Sequence, residues 1–318
     1  MTDRWGTGSV LCAVDDTDEA QVVIRAASRL ARRLDRPVTL MHVRRDWPPP
    51  RNRFGVAPSP DRREAMRTAV ADDTGRMLER LAAAAGLRDA GLREAAGDAA
   101  EEILAAARDE DAAAVVVGSR GRGSLAGALL GSVSADLLAA GERPVVVVPA
   151  AAGDVHASAD GVREGVAPAT LVCGIDGSSD AITAAAEAGR LAAAMGARLL
   201  LAHVVPESGR GELARSVAGD AFDRLEEGRR RAGGQILHDT AEAAGVRGRA
   251  EFRVISGGTV EALARLARQE HAELVVLGGR RRGRLDRVRQ GDSALALIGE
   301  SPSPVMVIPG ADGTGGGR

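Results

Sequence analysis

The chain has 318 residues, 45% of them hydrophobic, and a formal net charge of -2, so it is long enough for two ordinary domain cores and too neutral for global attraction to nucleic acid or an acidic membrane. All 42 basic residues are arginine, which excludes a Walker A loop, a Schiff-base lysine and a lysine general base, because each needs an amine that a guanidinium cannot supply. No stretch reaches the roughly 18 uncharged apolar residues of a membrane span, and MTDRWGTGS at the start carries no apolar signal core, so a cytoplasmic protein with no membrane contact is expected.

Val10 to Val14 is a short apolar run closing on Asp15, followed by Asp16 and Thr17 as candidate helix caps. The helical pattern then runs to about Leu34, with Val23, Ala26, Ala27, Leu30, Ala31 and Leu34 on one face. Pro37 to Val43 reads as a second strand, and Ser59-Pro60-Asp61 opens a long alanine-rich helix ending near Gly86. A weak strand at Leu92 to Ala96 leads to Asp98, a candidate N-cap for a helix over 99–108. Val115–Val117 and Val145–Val148 read as buried strands, and between them lie a glycine-rich loop and a short helix. The order βαβαβαβαβ predicts a parallel sheet covered by helices on both faces. Cys12 and Cys173 fall inside apolar strands, where reduced buried thiols are expected. With no tyrosine and only Trp5, Trp47, Phe54, Phe222 and Phe252, the chain lacks platforms for stacking nucleic-acid bases.

From 151 to 168 the chain turns polar and aperiodic, and the pattern then starts again. Asp176 follows Asp15 by 161 residues and His203 follows His42 by 161, while Gly278 and Gly291 follow Gly118 and Gly131 by 160. Agreement over that length is a duplication. The domains are accordingly 1–150 and 169–310, joined by a linker at 151–168 and followed by a disordered tail at 311–318. The last strands, Val145 to Val148 and Val305 to Ile308, are edge candidates whose mutual pairing would hide two apolar edges at once.

Ligands of open α/β sheets sit at strand carboxyl ends where the winding reverses. If the first and fourth strands are neighbours there, Asp15 faces the loop that begins at Gly118. Glycines 118, 121 and 131 leave backbone N–H groups bare, and Ser132 puts a hydroxyl at a helix start, which together favour an anion. A nucleotide suits this pairing, with the carboxylate on the exocyclic amine or ribose and the loop on phosphates; the alternative is that Asp15 simply caps the next helix. Gly121-x-Gly123-x-x-Ala126 resembles a dinucleotide fingerprint but follows a late strand, with no acid closing the next one. Arginines at 280, 281, 282, 284, 287 and 289 form a basic cluster, read either as a solvated loop or as a contact for RNA, DNA or an acidic partner. The histidines show no metal-ligand spacing, so no metal site is expected, and no base stands out for catalysis; Ser132 is better placed to donate to phosphate than to attack.

Strand-end Asp15, His42-Val43, Gly97-Asp98 and above all Gly118-x2-Gly121-x9-Gly131-Ser132 resemble the universal stress protein family in its ATP-binding form. The resemblance covers nearly the whole chain as two domains in tandem. It implies an α/β fold of two doubly wound five-stranded parallel-sheet sandwiches, the adenine nucleotide alpha hydrolase-like or universal stress protein fold. It also implies ATP, with or without Mg, as the cofactor. Asp15 and the backbone of Val43 would hold adenine, Gly118 would lie near ribose, and Gly121, Arg122, Gly131, Ser132 and Val133 would hold phosphates. In the second copy Asp176 and Val204 keep the adenine half and Gly278 and Gly291 keep two glycines, but Arg281 replaces the middle glycine and Asp292 the serine. An Arg281–Asp292 pair in the phosphate position is one reading, which predicts about one ATP per chain, and drift to a solvated arginine surface is the other. The implied role is a nucleotide-responsive stress or signalling module with an unidentified protein partner, the two domains pairing within the chain and further homodimerisation open. A slow ATPase and a partner-binding protein without nucleotide are the alternatives.

Overall fold

The computed structural model describes residues 5–44, 59–119, 130–150, 169–207, 211–279 and 293–310, of which 211–222 and 293 by their backbone alone. The expected linker at 151–168 and tail at 311–318 lie outside these residues. In the first half the order is β1 (Val10–Ala13), α1 (Ala20–Leu34), β2 (Val38–Arg44), α2 (Pro60–Ala84), β3 (Gly91–Ala96), α3 (Ala99–Asp109), β4 (Ala114–Gly118), α4 (Ser132–Ala140) and β5 (Val145–Val148). The second half repeats it as β6 (Thr170–Gly174), α5 (Ser179–Met195), β7 (Arg198–Val205), α6 (Gly211–Ala243), β8 (Ala250–Ser256), α7 (Thr259–Gln269), β9 (Ala272–Gly279), α8 (Ser293–Glu300) and β10 (Val305–Pro309).

All ten strands form one sheet in the order β3-β2-β1-β4-β5-β10-β9-β6-β7-β8. Within each half the pairings are parallel, with β1 between β2 and β4 and β6 between β7 and β9. Strand alternation divides the core into two layers. Val10 and Cys12 face α1 and α2 through Ile24, Ala27, Met77 and Leu78, whereas Leu11 faces α3 and α4 through Ile103, Ala107 and Leu137. The second half repeats this, Leu171 and Cys173 lying with Leu191 and Leu237, and Val172 with Leu263 and Leu297.

The two five-stranded units meet at an antiparallel pair, β5 on β10, with Val145 opposite Val307, Val146 opposite Met306 and Val147 opposite Val305. The two apolar edges read from sequence therefore cover each other. Val146 and Met306 belong to one core layer and Val145, Val147, Val305 and Val307 to the other, so both layers run unbroken through the junction. Because the pair is antiparallel, the strand carboxyl ends of the two halves point to opposite edges of the sheet.

Helix starts follow local chemistry. The Asp98 carboxylate accepts from the N–H groups of Ala100 and Glu101, both at 3.1 Å, and Ser59 accepts from Arg62 N at 3.4 Å ahead of Pro60. The caps expected for α1 are not used. Its N-cap is Glu19, with no side-chain bond to the helix. Thr17 offers only its carbonyl, to Ala20 N at 3.1 Å, because its hydroxyl is spent on Asp15 at 2.6 Å.

Ahead of β1 the chain runs against the turn between α3 and β4. A Cβ on Gly6 would lie 1.8 Å from the Asp111 carbonyl oxygen and one on Gly8 1.9 Å from that of Glu110, so only glycine fits this approach. The segment also reaches the other half, where Trp5 Nε1 donates to Glu187 Oε2 at 2.8 Å. Glu187, only 2% exposed on α5, is bound from its other side by Arg190. Next to this, α1 packs on α5 and Arg33 pairs with Glu273 at 3.3 Å. Among the described residues no helix is long and apolar enough to cross a membrane.

Candidate functional site

β1 stops at Ala13, level with Met41 of β2 and Val117 of β4. Its neighbours continue, β2 to Arg44 and β4 to Gly118, which leaves a notch above Val14 and Asp15 at the point where the strand order reverses. This is where an open α/β sheet places a ligand. Val14 N donates to Met41 O at 2.9 Å, and Gly97 N donates to Arg44 O at 2.9 Å on the other side of β2. In a parallel ladder the peptide groups of alternate residues address alternate neighbours. Met41 therefore faces β1 and Arg44 faces β3, which turns the N–H and C=O of Val43 toward β1, past its last strand residue and into the notch. His42 closes the floor, its Nδ1 lying 2.7 Å from the Val14 carbonyl oxygen; an acceptor on that side means Nδ1 carries the proton.

Asp15 stands at the same edge, half-buried, with Oδ1 accepting from the Thr17 hydroxyl. The N-cap position of α1 falls to Glu19, four residues further on. On the far wall, Ser119 N donates to Val148 O at 2.9 Å and Gly131 N donates to Ser119 O at 2.7 Å, so the end of β4 and the start of α4 are joined directly. Gly121 and Arg122, read as phosphate contacts, lie outside the described residues.

α4 differs from the capped helices. Its N-cap is Gly131, in extended backbone with no side-chain cap, and its first turn holds no acid. In α3 the Asp98 carboxylate fills the corresponding place. In α7 the cap is also a bare glycine, but Glu261 lies in the first turn and reaches to 2.2 Å from where a Gly258 Cβ would sit. The N–H groups of Ser132, Val133 and Ser134 thus begin a helix whose first turn brings no negative charge of its own, where the helix dipole favours an outside anion. Ser132 is exposed and Val133 half-buried. Sequence reasoning did not single out Ser134, which is only 3% exposed and donates from Oγ to the Gly118 carbonyl at 2.7 Å. The available signal was a serine in the first turn of a short apolar helix.

The second half repeats the notch in part. Ile175 N donates to Ala202 O at 2.8 Å, Gly257 N donates to Val205 O at 3.2 Å, and His203 Nδ1 lies 2.8 Å from Ile175 O. Val204 therefore addresses β6 as Val43 addresses β1. Asp176 is more exposed than Asp15, and its Oδ1 accepts from Ser178 N at 2.9 Å in a local turn. On the other wall, a Cβ on Gly278 would come within 2.6 Å of both the carbonyl carbon and oxygen of Asp180, in the first turn of α5. Arg281, Gly291 and Asp292 lie outside the described residues. Neither cysteine offers a nucleophile: burial pushes the Cys173 thiol up to about 12 and the Cys12 thiol higher still.

A model described as the universal stress protein family matches residues 7–149 and again 169–309. A universal stress protein of Mycolicibacterium smegmatis is 28% identical over 94% of this chain and 96% of its own. One from Thermus aquaticus is 31% identical over 44% of this chain and 97% of its own length, the span of a single domain. The crystal structure of a universal stress protein from Archaeoglobus fulgidus superposes with a TM-score of 0.62 at 18% identity, covering 98% of this chain and 99% of that one.

Proposed function

The chain belongs to the universal stress protein family, and on that premise we propose that its first domain holds an adenine nucleotide, ATP with or without Mg, and acts as a nucleotide-responsive stress or signalling module. The observation that carries this reading is the single notch that brings together the Val43 peptide, the Asp15 carboxylate and the uncapped start of α4. The Val43 N–H and C=O supply one donor and one acceptor for the edge of a base, and Asp15 an acceptor for an exocyclic amine or ribose hydroxyl. The N–H groups of Ser132 and Val133, with the loop that contains Gly121 and Arg122, take the phosphates, and Gly118 stands between as the ribose neighbour. Occupancy of that loop would change the surface offered to a protein partner.

The second domain keeps the base-binding edge at Val204 but carries Arg281 and Asp292 in its phosphate motif, so the expected stoichiometry is one nucleotide per chain. Since β5 and β10 are spent on each other, a homodimer would form through another surface, with β3 and β8 as the outer strands of the sheet.

Mass spectrometry of small molecules released from freshly purified protein tests the ligand without presupposing it. An adenine nucleotide is expected, and ATP at 100 times its dissociation constant should stabilise the fold by about 2.7 kcal/mol. No nucleotide released and no change in melting temperature with ATP would overturn the reading. Two equal sites by calorimetry would overturn the stoichiometry.

A further inference from the structure

We propose that Ser134 is a positioning residue for phosphate: its hydroxyl fixes the start of α4 against the end of β4 and so sets where the Ser132 and Val133 N–H groups point. The inference rests on the nucleotide reading of the first domain. Ser134 is the third residue of α4, and its Oγ donates to the Gly118 carbonyl at 2.7 Å while the residue is 3% exposed. This hydroxyl–carbonyl bond crosses from the helix to the strand where the two ends of the glycine motif meet. The bond is part-buried and ties the Gly118 carbonyl to the helix, so removing it takes away that tie and frees the first turn to shift. A second tie, from Gly131 N to Ser119 O at 2.7 Å, holds only the residue before the helix and does not set the rotation of its first turn.

The duplicated half supplies an internal contrast. Ala294 occupies the place of Ser134, 160 residues on, and offers no hydroxyl. There the Asp180 backbone, in the first turn of α5, approaches Gly278 at the end of β9. The serine that makes this tie thus stands in the half with the intact glycine motif.

Positioning predicts an effect that grows with the phosphate chain. In calorimetric titrations of the full chain, Ser134→Ala should weaken ATP about tenfold, as expected for loss of one buried hydrogen bond, with adenosine affinity unchanged, so that the ratio of the two affinities falls about tenfold. Ser303→Ala is the control. Ser303 is 1% exposed and donates to Ala272 O at 2.7 Å, so its loss removes a similar bond from the second half and should lower the melting temperature without moving the ratio. Ser134→Thr keeps a hydroxyl and should return the ratio toward that of the parent; it also serves if the alanine variant fails to fold. Equal losses for ATP and adenosine, or an unchanged ratio in Ser134→Ala, would overturn the positioning role while leaving the nucleotide reading intact. Failure of the parent protein to bind ATP would overturn both.

Discussion

Asp111 holds the segment before β1 in place through several bonds to one carboxylate. Thr7 N donates to its Oδ2 at 2.7 Å and the Thr7 hydroxyl at 2.9 Å, while Arg143 pairs with Oδ1 at 2.8 Å. The Thr7 backbone donor, then its hydroxyl, then Arg143 hold this carboxyl below its ordinary value. A depressed carboxylate contributes stability above its unfolded value, about pH 4, and loses it as pH falls through the lower folded value. Acidification below about pH 4 should therefore release the segment that carries Trp5, read as a change in Trp5 emission in a Trp47→Phe background. Asp111→Asn should show the released signal already at neutral pH and lack the acid step; an unchanged acid step in that variant would assign it elsewhere. At the proposed site, Asp15→Ala should weaken adenosine and ATP by similar factors, about tenfold for one charge-assisted bond. That profile is the opposite of the one expected for Ser134.

Helix starts decide which element can accept a ligand. Asp98 satisfies two N–H groups of α3, and Asp98→Ala should cost about 1 kcal/mol in chemical denaturation. α4 has no such cap, and its Gly131 has φ -72° and ψ 154°, a backbone that any residue adopts. Gly131→Asp should consequently gain about 0.3 kcal/mol without ligand by capping the helix. The same carboxylate would occupy the anion position, so the variant should lose the ATP-dependent rise in melting temperature. A rise that survived Gly131→Asp would show that phosphate does not sit at this helix start. The pairing of opposite effects follows from one cause: the stability left out of this helix end is what a ligand can supply.

At the scale of the whole molecule, the two core layers pass through the β5–β10 junction, with Val146 and Met306 in one and Val147 and Val305 in the other. Neither half has a separate core boundary at that edge, so the chain should unfold in one calorimetric transition. Met306 is fully buried at the centre of the antiparallel pair. Met306→Ala should cost about 2–5 kcal/mol and move that single transition as a unit; two resolved transitions in the parent protein would show that the halves unfold independently. The opposed direction of the halves also keeps their notches at opposite edges of the sheet.

Periodicity and punctuation in the sequence determined the alternation of strands and helices, the duplication, and the start of α2 and α3, because short-range propensities and caps act within a few residues. The glycine spacing and Asp15 likewise pointed to one crevice, since strand ends and turns are local features read at fixed distance along the chain. Glu19 rather than Asp16 or Thr17 became the N-cap of α1, and for Thr17 the reason is that a local pattern does not say which competing acceptor a hydroxyl will choose; it chose Asp15. What tertiary structure alone decided were the contacts between residues far apart in sequence: Trp5 with Glu187, β5 fused to β10 in one ten-stranded sheet, and Asp180 against Gly278. Ser134 lies between these cases, for its place in a helix was legible but its bond to the end of another element was not. The strand order sets such meetings, and sequence spacing carries no direct record of it.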